Sequence, residues 1–189
     1  MAVRRMPDDT PEEFLLGVER LRAARLRPEV VLEEVPAPQR IAPHAVALSA
    51  DVMHDDDELA TGRFVLLYDP AGQEAWEGCF RAVTFVRATL EPELGGDPMI
   101  AQIGWTWLEE ALDGEGADYT AVGGTVTRVV SESFGALSDR PVTVELEVRA
   151  SWTPRDDVSR HLQAWSALLC TVAGLPPLPA GVAALPRRR

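Results

Sequence analysis

The sequence predicts an α+β domain: a largely antiparallel sheet with helices on one face, in the order α-β-β-β-β-α-β-β-α. Three observations carry this. Four strand-like segments follow one another with no helix between them, which favours antiparallel neighbours. The segment "PVTVELEVRASW" sets Val142, Val144, Leu146, Val148, Ala150 and Trp152 against Thr143, Glu145, Glu147, Arg149 and Ser151, so one face of the sheet is wet. Three other segments repeat apolar residues at helical spacing.

The first helix is expected over "DTPEEFLLGVERLRAARLR". Thr10 stands as N-cap, Pro11 at the first helical position and Glu13 three residues after the cap. Phe14, Val18 and Leu21 share one face, with Gly17 beside them. "EVVLEEV", bounded by Pro28 and Pro36, is β-branched and reads as a strand. "PAPQRIAPH" is a proline-spaced loop, and "AVALSADV" alternates Val46, Leu48, Ala50 and Val52 as a second strand. "GRFVLLYDPAGQEAW" reads as a hairpin turning at Asp69-Pro70-Ala71-Gly72, with Asp69 facing Gln73 and Leu66 facing Trp76. The return strand runs through "CFRAVTFVRATLE", with a bend at Gly78.

Asp97 as N-cap and Pro98 at N1 open the second helix. Its core stripe is expected to hold Ile100, Ile103, Gly104, Trp107 and Ala111, with Trp105 on the flank. "YTAVGGTVTRVVSESF" and "PVTVELEVRASW" are two long strands. The last helix, "DDVSRHLQAWSALLCTVAGL", buries Val158, Leu162, Trp165, Leu169 and Val172. Trp107, Trp152 and Trp165 are expected to share one core. The chain divides into a flexible N-terminus over 1–9, one α+β domain over 10–174, and a proline-rich, arginine-ended tail over 175–189.

Composition narrows the chemistry. The chain has 189 residues, 46% hydrophobic and 25% charged, the balance of a soluble globular protein. All 18 basic residues are arginine, and asparagine is missing as well. Without lysine there is no Schiff base, no lysine general base and no P-loop lysine. The net charge of −12 repels nucleic acid at long range. Cys79 and Cys170 match no disulfide framework and read as buried free thiols in a reducing cytosol. No apolar h-region follows the N-terminal arginines, and no apolar run approaches a membrane span. The expectation is a cytoplasmic protein with no cofactor and no membrane contact.

Several residues still invite a functional reading. "MHDDDEL" crowds His54, Asp55, Asp56, Asp57 and Glu58 together. Neighbouring extended residues point apart, and the run lacks the alternation and glycine of a calcium loop. A solvated turn is therefore expected, with His54, Asp55 and Asp57 as weak metal candidates. Glu91, Glu93 and Asp97 form a second acidic group, though nothing fixes their separation. His161, one turn before Trp165, is expected to pack on that ring rather than act as a base. Arg20, Arg22, Arg25 and Arg27 are candidates for a basic patch. No aromatic is interleaved among them to stack bases, and cations suit a helix C-terminus. Trp105, left on a helix flank, is the candidate protein-binding residue.

The segments "GRFVLLYDPAGQEAWEGCFRAVTFVRATLEPEL", "DPMIAQIGWTWLEEAL", "RASWTP" and "HLQAWSALLCTVAGLPPLP" resemble the bacterial family called domain of unknown function 3000. The resemblance covers most of the chain and implies no established activity. It also implies genes lying near a ribonuclease D-like exonuclease. The element order is similar to that of small type III secretion chaperones, which bind other proteins and have no active site. Together these make a non-enzymatic protein-binding module the leading expectation, with another protein, or a second copy as a homodimer, as partner. The rival is an enzyme with an acidic site at His54–Glu58 or Glu91–Asp97. A third reading is an accessory of RNA metabolism using the arginines of helix one.

Overall fold

A computed structural model describes residues 10–176. The expected N-terminal segment 1–9 and all of the tail but Leu175 and Pro176 lie outside the described residues. The elements are α1 (Glu12–Ala23), β1 (Val30–Val35), β2 (His44–His54), β3 (Asp57–Gln73), β4 (Gly78–Leu90), α2 (Ile100–Gly114), β5 (Tyr119–Ser131), β6 (Thr143–Pro154) and α3 (Val158–Val172). Short 3-10 turns stand at Glu74–Trp76, Pro92–Gly96 and Gly135–Leu137. The six strands form one sheet in the order β1-β2-β3-β4-β6-β5, and every pairing is antiparallel.

Alternation along each strand decides which face is buried. Leu48, Phe64 and Thr84 stand in one row across β2, β3 and β4, and Val86 stands beside Val148. These side chains are buried beneath the helices. α3 is buried nearly all round, because it packs against α1 and α2 as well as β3, β4 and β6. Its Trp165 is fully buried over Gly62, and the indole N–H donates to the Phe85 carbonyl at 3.2 Å. A Cβ on Gly62 would lie 2.9 Å from the Trp165 ring and 2.6 Å from the Phe85 oxygen, so only glycine admits this contact. Trp152 and Trp165 belong to the main core, and Trp107 packs at its margin.

Four local expectations differ from what the structure shows. Pro11, not Thr10, occupies the cap position of α1; its extended ψ of 137° and its carbonyl, which accepts from the Leu15 N–H, start the helix at Glu12. The same helix ends at Ala23 rather than running to Arg27, because Ala24 turns extended and the chain tightens toward β1. The β3–β4 reversal lies at Glu74–Glu77, with Gln73 facing Gly78, Tyr68 facing Phe80 and Leu66 facing Ala82. The Asp69–Gly72 turn signal is real but makes a bulge within β3. There Asp69 accepts from the Ala71 N–H and the Gln73 amide, and the Tyr68 ring packs tilted against Phe80, 4.6 Å between centres, beneath α1.

The fourth difference concerns α2. Asp97 accepts from the Met99 N–H at 2.8 Å and so organises the turn before the helix, which begins at Ile100. The buried stripe is Ile100, Gly104, Leu108 and Leu112, rotated from the expected set. α2 packs against α3 on one side and against β5 and β6 on the other. That wide contact leaves Trp105 and Trp107 half-buried on opposite flanks.

The Gly62–Trp165 contact makes a direct prediction. Gly62→Ala should lower the free energy of unfolding by about 3 kcal/mol, since an extra methyl here meets backbone and a locked ring. Gly123→Ala, with nothing within 4 Å of the added atom, should change it by less than about 0.5 kcal/mol. Urea denaturation of both variants checks the contrast.

Candidate functional site

The acidic run forms the β2–β3 turn. His54 pairs with Asp57, and Asp55 and Asp56 make the reversal, with Asp55 at φ 54°. Residues 54–58 are exposed, and His54 Nε2 lies 4.0 Å from Asp55 Oδ2. Among the described residues no group of three or more His, Cys, Asp or Glu side chains converges as a metal site would require. Glu91 and Glu93 flank Pro92 on an exposed 3-10 turn. The backbone carbonyl of Asp97 accepts from Arg128, so its part is local structure. Neither acidic group lines a cavity.

The arginines at the end of α1 are drawn into internal contacts. Arg22 pairs with Glu34 of β1 at 3.1 Å, and Arg20 approaches Asp157 at the start of α3 at 3.7 Å. Arg27 pairs with Glu29 at 2.9 Å and donates to the Pro176 carbonyl. The hydrogen bond to Glu29 raises the Arg27 pKa further, against the opposing effect of burial. The Arg25 carbonyl accepts from Gln163. Arg20, Arg22 and Arg27 thus have carboxylate partners, while Arg25 is exposed and engages Gln163 only through its backbone.

His161 is fully buried, and its ring partner is Trp152 rather than the expected Trp165. The Trp152 indole N–H donates to His161 Nδ1 at 2.9 Å, which leaves Nε2 facing Asp156 Oδ1 at 2.7 Å. This chain needs Nδ1 as an acceptor, so the ring is neutral with its proton on Nε2. Burial lowers the His161 pKa, and the Asp156 carboxylate opposes that shift in part. The group has the donor order of an acid–base relay. Its inner end is an indole N–H, which carries no nucleophile, so the structure uses it to join β6 to α3.

Trp105 is half-buried on the α2 flank, with its N–H donated to Glu109 at 2.9 Å. Its ring lies against Gly124 of β5, where an added Cβ would come within 2.9 Å of it. Trp107, on the other flank, lines a hollow of about 450 Å³ between the end of α1, α2 and α3. Cys170 also lines that hollow; burial pushes its thiol pKa up to about 11, which keeps it a thiol at neutral pH. Cys79 is half-buried on β4.

The sheet face away from the helices holds a different feature. At its β2–β3 side, Ala47, Val65 and Leu67 are covered by Ala37, Ala42 and Trp76. Among the described residues nothing covers the centre. Val83 is 38% exposed, and Phe85 beside it is half-buried. Register places Arg63 of β3 and Arg149 of β6 on either side of Phe85. The Arg149 guanidinium sits 5.1 Å from the Phe85 ring centre and pairs with Glu147 at 2.7 Å. Arg63 and Arg87 make no ion pair among the described residues. Arg63 and Arg149 line a shallow groove of about 530 Å³ with Val83 and Phe85 on its floor and the buried Val65 at its margin.

The far wall of the groove is backbone. β5 carries a bulge between Thr120 and Gly123, with Ala121 at φ 50°. Arg81 holds this bulge by donating to the Ala121 carbonyl at 2.8 Å, the Ser151 carbonyl and hydroxyl, and the Thr153 hydroxyl. Burial lowers the Arg81 pKa, yet these acceptors keep the cation solvated by protein. Gly123 and Gly124 then form a wall without side chains, backed by Trp105 on the helix side. The sequence reading missed Arg63, Phe85 and Arg149. They align only through the β3–β4 and β4–β6 registers, and β4 and β6 are separated in the chain by α2 and β5.

A family model for a protein of unknown function, DUF3000, matches residues 10–183. No curated protein and no solved structure is matched by the chain. Among the described residues, no helix is long and apolar enough to cross a membrane.

The buried histidine makes a pH prediction. Its folded pKa lies below the unfolded value of about 6.5, so the unfolded chain binds the proton more readily. The stability it contributes is present above that value and lost as pH falls through it toward the folded pKa. Denaturation at pH 8 and pH 5 should show a loss for the natural chain. The loss should be smaller for His161→Gln, which keeps a donor and an acceptor but does not titrate.

Proposed function

We propose that this chain, which belongs to the DUF3000 family, is a binding module that holds a segment of another protein on the open face of its sheet. The observation that carries the reading is the apolar floor of Val83 and Phe85, left open among the described residues and set between Arg63 and Arg149, with the buried Val65 at its margin. Apolar surface left open and rimmed by polar groups marks an interaction site. The chemistry it fits is an aromatic or branched side chain flanked by carboxylates. The apolar group would cover Phe85, and the carboxylates would meet the two guanidiniums in charge-assisted hydrogen bonds. Trp105 enters this reading as a brace: it supports the Gly124 wall from behind.

Supporting this reading, the other striking polar groups already have internal partners. His161, Arg81, Arg22 and Arg27 are all committed to contacts that hold elements together. The Arg63–Phe85–Arg149 row also has the ingredients of a base-stacking platform. The chain's net charge of −12 and Glu145 and Glu147 on the same face repel a strand charged at every nucleotide more strongly than a segment with one or two carboxylates, which weighs against that alternative.

Fluorescence anisotropy with an acidic peptide centred on tryptophan, set beside a single-stranded RNA of matched length, tests the choice. The natural chain should bind the peptide in preference to the RNA. Arg63→Glu with Arg149→Glu should weaken peptide binding at least about tenfold, as should Phe85→Ser. Arg22→Glu, on the opposite side of the sheet, should not. Peptide binding untouched by the groove variants, or binding of RNA alone, would sink the reading.

A further inference from the structure

The two edges of the sheet are built differently. β1 is six residues long and carries Glu33 and Glu34, the latter paired to Arg22. A short, charged edge resists pairing with another chain. β5 is 13 residues long and, among the described residues, pairs only with β6, so no described strand meets its outer row of backbone groups. From Gly123 to Ser131 its single charged side chain is Arg128, and it has no proline. Val129 and Val130 are 37% and 44% exposed, and Phe134, just past the strand, is 76% exposed. The backbone at Phe134 is still extended, at φ −130° and ψ 164°.

We propose that β5 pairs antiparallel with β5 of a second copy of this chain, about a two-fold axis at Val130, so that two sheets become one. In this register Arg128 of each copy faces Glu132 of the other. Phe134 lies opposite Val126, and Val130 meets its own counterpart. Moving the axis to Val129 sets Arg128 against Val130 and leaves Glu132 facing Val126. Moving it to Ser131 sets Arg128 against Phe134 and Glu132 against Val130. Only the Val130 axis matches both charges and covers the largest exposed ring with an apolar partner. Directly opposed residues in an antiparallel pair share a face, so both helix layers lie on the same side of the joined sheet. The open-face groove is left uncovered, and this inference stands independently of what binds there.

Sedimentation equilibrium of the full chain should show a dimer. Arg128→Glu and Glu132→Arg, each setting like charges opposite one another twice per dimer, should each weaken it about tenfold or more. The double variant Arg128→Glu with Glu132→Arg restores the pairing with signs exchanged and should recover the dimer. Circular dichroism confirms that each variant is folded. Val130→Cys places two thiols across the axis, where opposed Cα atoms lie about 4.5–5.5 Å apart, within disulfide range. Mild oxidation should cross-link it, while the natural chain with Cys79 and Cys170 and a Val126→Cys variant should remain uncrosslinked. A monomer at every concentration overturns the proposal. So does a dimer indifferent to charge reversal, or one that Val130→Cys fails to trap.

Discussion

The structure depends on seating large indole rings between the helices and the sheet without stranding an N–H. Trp165 needs both a gap in β3, which Gly62 supplies, and an acceptor, which the Phe85 carbonyl supplies. Trp152 needs a neutral His161 on α3. These two rings enter from opposite sides, one from the helix and one from the strand, so α3 is fixed in rotation and along its length. Among the described residues no buried side-chain nitrogen or oxygen lacks a hydrogen-bond partner. An unpaired donor there would cost about 1–3 kcal/mol, enough to select one docking of α3 over its neighbours.

With α3 fixed, the other helices have little choice of place. α1 lies against it, tied through Arg20 and Asp157, and is held to β3 by the hydrogen bond from Tyr68 to Glu13 at 2.7 Å. That bond and burial hold the Tyr68 pKa up to about 12, so the phenol remains a donor at any physiological pH. α2 closes the far side, with Trp105 over Gly124 of β5. All three helices therefore occupy one face, and the opposite face keeps its own chemistry. A chain with a strong acidic excess keeps Arg63, Arg87 and Arg149 together on that face. Arg22 of α1 and Arg27 beyond its end are paired instead with Glu34 and Glu29.

This division separates residues that look alike in the sequence. Arg22 and Arg63 are both solvent-facing arginines beside apolar residues. One bridges α1 to β1; the other flanks an aromatic ring on an uncovered surface. Likewise Trp105 and Trp107 stand two residues apart, yet one backs a strand and the other lines a hollow between helices. Residue type sets what each group can do. The element packed against it decides what it does.

The sequence alone determined the element order and the buried parity of β2 and of β6 from Val144 on, because both follow from local periodicity; Val142, expected on the same face, stands exposed before β6. It also placed all five apolar residues expected on α3 correctly, and it placed the acidic run in a turn, since contiguous carboxylates cannot share one side of an extended chain. Turn chemistry misled at Asp69–Gly72: the same residues suit a hairpin reversal or a bulge, and the long-range β3–β4 register, with Tyr68 packed against Phe80, places the reversal beyond them. The α2 stripe was misplaced because its rotation answers to two neighbours at once, and neither is visible in the helix's own pattern. The candidate groove was illegible for a related reason. Arg63, Phe85 and Arg149 come from three strands whose registers are fixed by packing beneath α3, and a slip of one residue would send each side chain to the other face.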